Sequence, residues 1–207
     1  MRPRRRTSVL VLLLPLAVVV ATTAACGGSS PTSSAPPVVV ATGSVSCTGV
    51  TGSVSFSPAL TKTGTSPESA TISVTSAGCT TSGSDVHVTS GAGTATLSDP
   101  NNSCTGLITP RQLTVDITWT PPTVHSSAVT FSGFTVATNG PGGGGGFTLP
   151  SASGTAKVTG SFAGSDHGAG STSAVYSSDT VTQLLAACGS AAGLATIPVT
   201  SGSLDLK

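Results

Sequence analysis

Leu113 to Trp119 reads LTVDITW, and no other stretch constrains its own backbone so tightly. Leu113, Val115, Ile117 and Trp119 alternate with Thr114, Asp116, Thr118 and Thr120. Successive side chains of an extended chain point to opposite faces, so this segment has one apolar face and one polar face. It is a half-buried β-strand. Pro121 and Pro122 have no N–H to give a sheet ladder, and they end it. The strand carries the chain's only tryptophan. The phase of Trp119 makes it a core residue rather than an exposed platform for ligand stacking.

A strand with one dry face needs partners, and the rest of the chain supplies shorter versions. Val50, Gly52, Val54 and Phe56 share one face, as do Ala70, Ile72 and Val74. These two strands make a hairpin across Ser57 to Ser69, a surface loop with some freedom. Val86 to Leu97 alternates around a bulge or turn at Gly91-Ala92-Gly93. Ala128 to Val136 changes phase at Gly133, as a bulge requires. Asn139 to Gly146, NGPGGGGG, is too glycine-rich to hold one structure. Phe147 to Leu149 is extended, and Thr155 to Phe162 follows with Ala156, Val158, Gly160 and Phe162 on one face. Thr180 to Gln183 fits a capping box, with Val181, Leu184, Leu185 and Cys188 on one helical face and Gly189 closing the helix. Two short strands around Ser201-Gly202 end the chain. The pattern predicts a mainly β domain, an antiparallel β-sandwich of immunoglobulin-like or barrel-like form, with one short helix near the C-terminus.

Before that domain lies a segment with the parts of an export signal: Arg2, Arg4, Arg5 and Arg6, an apolar run from Val9 to Val20, and small residues from Ala21 to Ala25. Thr23-Ala24-Ala25-Cys26-Gly27-Gly28 resembles the lipobox of bacterial lipoproteins, with Thr23 where that family carries Leu or another aliphatic residue. The resemblance implies cleavage before Cys26 and lipid attachment to it. Cys26 is also the odd member of five cysteines in an exported chain. The residues after it, GGSSPTSSAPP, have a tether's composition. The expected organisation is a signal peptide over 1–25, a tether over 26–43 and a disulfide-bonded β-domain over 44–207.

The hairpin register also suggests how the cysteines pair. With Phe56 opposite Ala70 and Val54 opposite Ile72, continuing the ladder brings Cys47 opposite Cys79. Cys104 and Cys188 then remain for each other.

Charge excludes one class of partner. Past the leader the bases are Lys62, Arg111, Lys157 and Lys207 against seven acids, a net charge of about −3 with no basic stripe to follow phosphates. Nucleic acid is not an expected partner. Asp85 and His87 are read as a solvated strand face shared with Thr89. Asp166-His167 sits in a turn, and His125 lies in a loop. No nucleophile elbow, HExxH, phosphate loop or CxxC occurs, and Asn101-Asn102-Ser103 reads as a turn rather than a glycosylation site. No catalytic residue, metal site or cofactor is therefore assigned.

Cys47-Thr48-Gly49-Val50, Val54-Ser55-Phe56-Ser57-Pro58-Ala59-Leu60, Ala77-Gly78-Cys79, Leu113 to Trp119 and Val158 to Asp166 together resemble a group of exported actinobacterial β-domain proteins of unassigned function. That resemblance implies a secreted, disulfide-bonded β-domain and transfers no catalytic residue. The expected role is a non-catalytic binding or surface-display module, held at the outer face of the membrane by a lipid or secreted, with a cell-envelope glycan or protein as ligand. The alternatives are a secreted hydrolase with a Ser/His/Asp site and a structural envelope spacer. Long polar loops, Ser57 to Ser69 and Asn139 to Gly146, are the expected places for recognition.

Overall fold

Alternation along Val50 to Phe56 and Ala70 to Val74 has its outcome in two long strands, β1 (Ser44–Leu60) and β2 (Glu68–Ser82). Their ladder pairs Phe56 with Ala70, Val54 with Ile72 and Cys47 with Cys79. The computed structural model describes residues 35–137, 144–148, 156–164 and 170–207. Within these, β3 (Ser90–Asp99), β4 (Arg111–Thr120), β5 (Ser127–Ala137), β6 (Gly144–Thr148), β7 (Ala156–Gly160) and β8 (Gly170–Thr180) follow in order. Helix α1 (Val181–Gly189) and strands β9 (Leu194–Val199) and β10 (Ser201–Leu206) complete the chain. Every ladder between named strands is antiparallel.

The sheet curls until it meets itself. Pairing runs from β1 through β2, β3, β4, β5, β6 and β8 to β10, and β10 returns to β1 through Val45–Leu206 and Cys47–Leu204. Of the two forms that alternation allowed, this is the barrel-like one. Both ends of β1 are used, because its later half pairs β9 while its first residues pair β10. β5 divides its partners in the same way: Ser127 to Phe131 pairs β7 and Thr135 to Ala137 pairs β6. The β4 register shifts between the Leu113–Phe131 and Arg111–Phe134 pairs. That shift straddles Gly133, where the phase change placed a bulge.

Trp119 occupies the interior as its phase required. It is 3% exposed, and its ring meets Phe162 edge-on at 5.3 Å between centroids. Its indole N–H donates to Ser127 Oγ at 2.9 Å, and Ser127 in turn donates to the Ser161 carbonyl at 2.6 Å. The Ser161 hydroxyl accepts from the Ala41 N–H at 3.0 Å. These interior polar groups thus satisfy one another, which removes most of the cost of burying them.

Several expectations change here. Gly91 and Gly93 lie in a regular ladder opposite Trp119 and Ile117. They serve close packing rather than a bulge, since a Cβ on Gly91 would stand 2.9 Å from Trp119 Cζ3. His87 lies in the loop before β3 and not on a strand face. Gly144 to Gly146 belong to β6, while residues 139–143 of the glycine run lie outside the described residues, as do Asp166 and His167. The expected tether ends earlier than residue 43. Val39 exchanges hydrogen bonds with Thr123 and His125, and the Ala41 carbonyl accepts from Phe162, so the folded unit takes in chain before Ser44. Cys26 lies outside the described residues.

The capping box at α1 is complete. Gln183 N–H donates to Thr180 Oγ1 and the Thr180 N–H donates to Gln183 Oε1. Leu184 and Cys188 are buried, but Leu185 is 62% exposed. The strip that α1 buries is narrower than the sequence suggested. Ser190 rather than Gly189 closes the helix, with both its N–H and its hydroxyl donating to the Ala187 carbonyl.

Two disulfides fasten the body, Cys47–Cys79 and Cys104–Cys188. They span sequence separations of 32 and 84, for which loss of chain entropy in the unfolded state gives roughly 3.5 and 4.5 kcal/mol. Disulfides persist in oxidising compartments, so the pair points to a place outside the cytoplasm.

Candidate functional site

The loop from Ser57 to Ser69 is not the free loop that its composition implied. β1 runs on to Leu60, and the turn that follows is pinned by Asn102, which is 6% exposed. Asn102 Oδ1 accepts from the Thr65 and Ser66 N–H groups at 2.9 and 3.1 Å, and its amide donates to the Ala59 carbonyl at 2.8 Å. Backbone bonds from Thr61 to Asn102 and from Asn102 to Ser66 complete the clamp. The Asn101-Asn102-Ser103 turn is thus a structural pin. It also leads into a 3-10 turn (Cys104–Ile108) that Cys104–Cys188 ties to α1.

Beside this clamp a pocket opens at one end of the sheet. β1 contributes Val54, Phe56 and Leu60, β2 contributes Glu68 and Ala70, and β3 contributes Leu97 and Asp99. The 3-10 turn adds Gly106 and Leu107, and Arg111 enters from the start of β4. The cross-strand pairs Phe56–Ala70 and Ala70–Leu97 put three apolar side chains in a row, and Glu68–Asp99 is the pair beyond them. The walls are therefore hydrocarbon, and the charges gather at one end.

Those charges are unusual for this chain. Glu68 is its only glutamate, and Arg111 is its only arginine after Arg6. Arg111 Nη2 forms an ion pair with Asp99 Oδ2. Glu68 is only 9% exposed, and its carboxyl accepts no hydrogen bond from any described residue. Burial pushes that carboxyl above its ordinary range; neighbouring Asp99 pushes the same way, and Arg111 opposes both. Gly106 lets the turn lie against the ion pair, since a Cβ there would stand 3.1 Å from Asp99 Oδ2.

All three positions continue apolar phases already visible in the sequence. Glu68 lies two residues before Ala70, Asp99 two after Leu97 and Arg111 two before Leu113. Carrying each alternation one step further would have put an acid, an acid and a base on inward faces, and that signal was missed. Neither His87 nor His125 lines this pocket. His87 Nδ1 lies 3.1 Å from Thr81 Oγ1 and His125 Nδ1 lies 3.0 Å from the Ser126 carbonyl, so neither of these contacts is to a carboxylate. Among the described residues no three His, Cys, Asp or Glu side chains gather as metal ligands.

Fold and pocket together define a disulfide-tied, barrel-like β-body with a mostly apolar pocket that is acidic at one end. The chain matches no protein-family profile, no curated protein and no solved structure.

Proposed function

We propose that this protein is an exported, lipid-anchored envelope domain that acts as a non-catalytic binding module, with the Glu68 pocket as its ligand site. The observation that carries this reading is Glu68 itself: a carboxyl held in an apolar pocket without a hydrogen-bond donor. Such a group lowers stability unless something outside the fold meets it. The leader ending at Cys26 and the two disulfides support an extracytoplasmic location. A closed sheet fastened by covalent links supports rigid presentation of a site, since binding loses less free energy when the site is already formed.

Fractionation of expressing cells tests the anchor and the binding role together. The wild-type protein is expected to stay with the membranes through a high-salt wash, and Cys26→Ser to be washed off them. The released Cys26→Ser protein, added to envelopes from cells lacking it, should co-sediment with them, and adding Glu68→Gln to that variant should abolish co-sedimentation. Failure of the released protein to sediment, or sedimentation indifferent to Glu68, contradicts the proposal.

A further inference from the structure

The dimensions and charge of the Glu68 pocket narrow what it can hold, on the reading that it is a binding site. Its volume is about 50 Å³, room for roughly three or four waters and well short of the ~300 Å³ at which small-molecule sites begin. It accommodates the end of a chain rather than a whole ligand. Val54, Leu60, Ala70, Leu97 and Leu107 offer hydrocarbon beside the charges, which suits a methylene stem. At the charged end are two carboxyl groups and one guanidinium, and Arg111 is already engaged by Asp99. Glu68 is the unmet acceptor.

We propose that the pocket binds an aliphatic primary ammonium group, its stem lying against the apolar walls and its N–H groups donating to Glu68. A carboxylate would bring a third acid into a site that already has two. An alcohol would donate one hydrogen bond and leave the excess negative charge unmatched. The ammonium supplies donors and opposite charge at once, and hydrogen bonds between charged partners are about twice as strong as neutral ones. A free amine and the lysine side chain of a partner protein present the same chemistry.

The groups facing Glu68 also set the pH dependence. Asp99 faces it from β3 and Arg111 from β4, whereas the pocket residues of β1 and of the 3-10 turn carry no ionisable side chain. Ammonium binding requires the ionised carboxylate. Because burial favours the protonated acid, binding strengthens as pH rises through the elevated range of Glu68.

The test is a titration of the full-length exported protein with n-butylammonium chloride, followed by heteronuclear NMR at the amides of Glu68, Leu97, Asp99 and Leu107. Saturable shifts are expected, with affinity about tenfold or more above that for n-butanol, no shift with butyrate, and about tenfold weaker binding in Glu68→Gln. Nα-acetyl-lysine N-methylamide binding as well as butylammonium would mark the source as a partner's lysine, and its failure beside successful butylammonium would mark a free amine. An absence of saturable shifts, equal binding of butanol or undiminished binding by Glu68→Gln overturns the proposal. If Glu68-dependent sedimentation with envelopes persists while butylammonium fails, the ligand class is wrong and the binding role stands. If both fail, the binding role falls too.

Discussion

Glu68 shows how a single residue can be plain in the sequence and still pass unread. The alternation Ala70, Ile72, Val74 was legible because apolar side chains on one face announce burial. Extending it backwards meets a charge, which ordinarily marks the end of the inward pattern. In the structure the inward face continues through Glu68, and Arg111 and Asp99 lie near enough to act on its carboxyl. The partners come from β3 and β4, so their convergence depends on ladder registers that no local pattern contains. A consequence follows for stability. The folded carboxyl is raised above its ordinary value of 4.5, so between that value and the folded one the native state binds more protons than the unfolded chain. By linkage, stability falls as pH rises through this window. Denaturant unfolding from pH 4 upward should show this decline in the wild type and lack that component in Glu68→Gln. Identical profiles for the two proteins would mean that the carboxyl experiences no such burial.

At the level of elements, strand identity was the most readable feature, and turn identity the least. β1, β2 and β4 follow period-two alternation, and the capping box of α1 lies at the residues where Thr and Gln stand three apart. Gly91-Ala92-Gly93 misled because glycine in a strand signals either a bulge or a close approach, and only the neighbour decides. Here the neighbours are Trp119, Ile117, Val74 and Val115, whose side chains fill the space where Cβ atoms would stand. Gly91→Ala is expected to cost about 1 to 3 kcal/mol through overpacking against Trp119, with a shift in tryptophan fluorescence. A variant as stable as the wild type, with unchanged emission, would show that β3 does not pack so closely on β4. Leu185 misled for a different reason. Helical spacing defines a face, but the width of the face that is covered depends on what lies beneath, and this short helix is covered along Leu184 and Cys188.

Over the whole molecule, the class of fold was legible and its closure was not. Alternation predicts strands with one dry face, but the return of β10 to β1 joins residues more than 150 positions apart, and that depends on the whole path of the sheet. The Cys47–Cys79 pairing followed from a local register, whereas Cys104–Cys188 followed only by elimination, because it joins a turn to a helix across 84 residues. Into this closed body the chain places its only glutamate beside its only arginine after Arg6, at the end of an apolar pocket. The central claim is that the carboxyl is kept there for a ligand and works against the fold's own stability. Thermal unfolding of Glu68→Leu at neutral pH tests it most directly. Replacing buried ion pairs by well-packed hydrophobes is often neutral or stabilising by about 1 to 4 kcal/mol; Glu68→Leu removes a buried acid while leaving the Arg111–Asp99 pair intact, and for a domain of this size each kcal/mol gained moves the midpoint by roughly 2 to 4 °C. The account predicts a higher Tm for Glu68→Leu than for the wild type; a lower Tm would show that Glu68 holds the structure together through Arg111 and would contradict the claim.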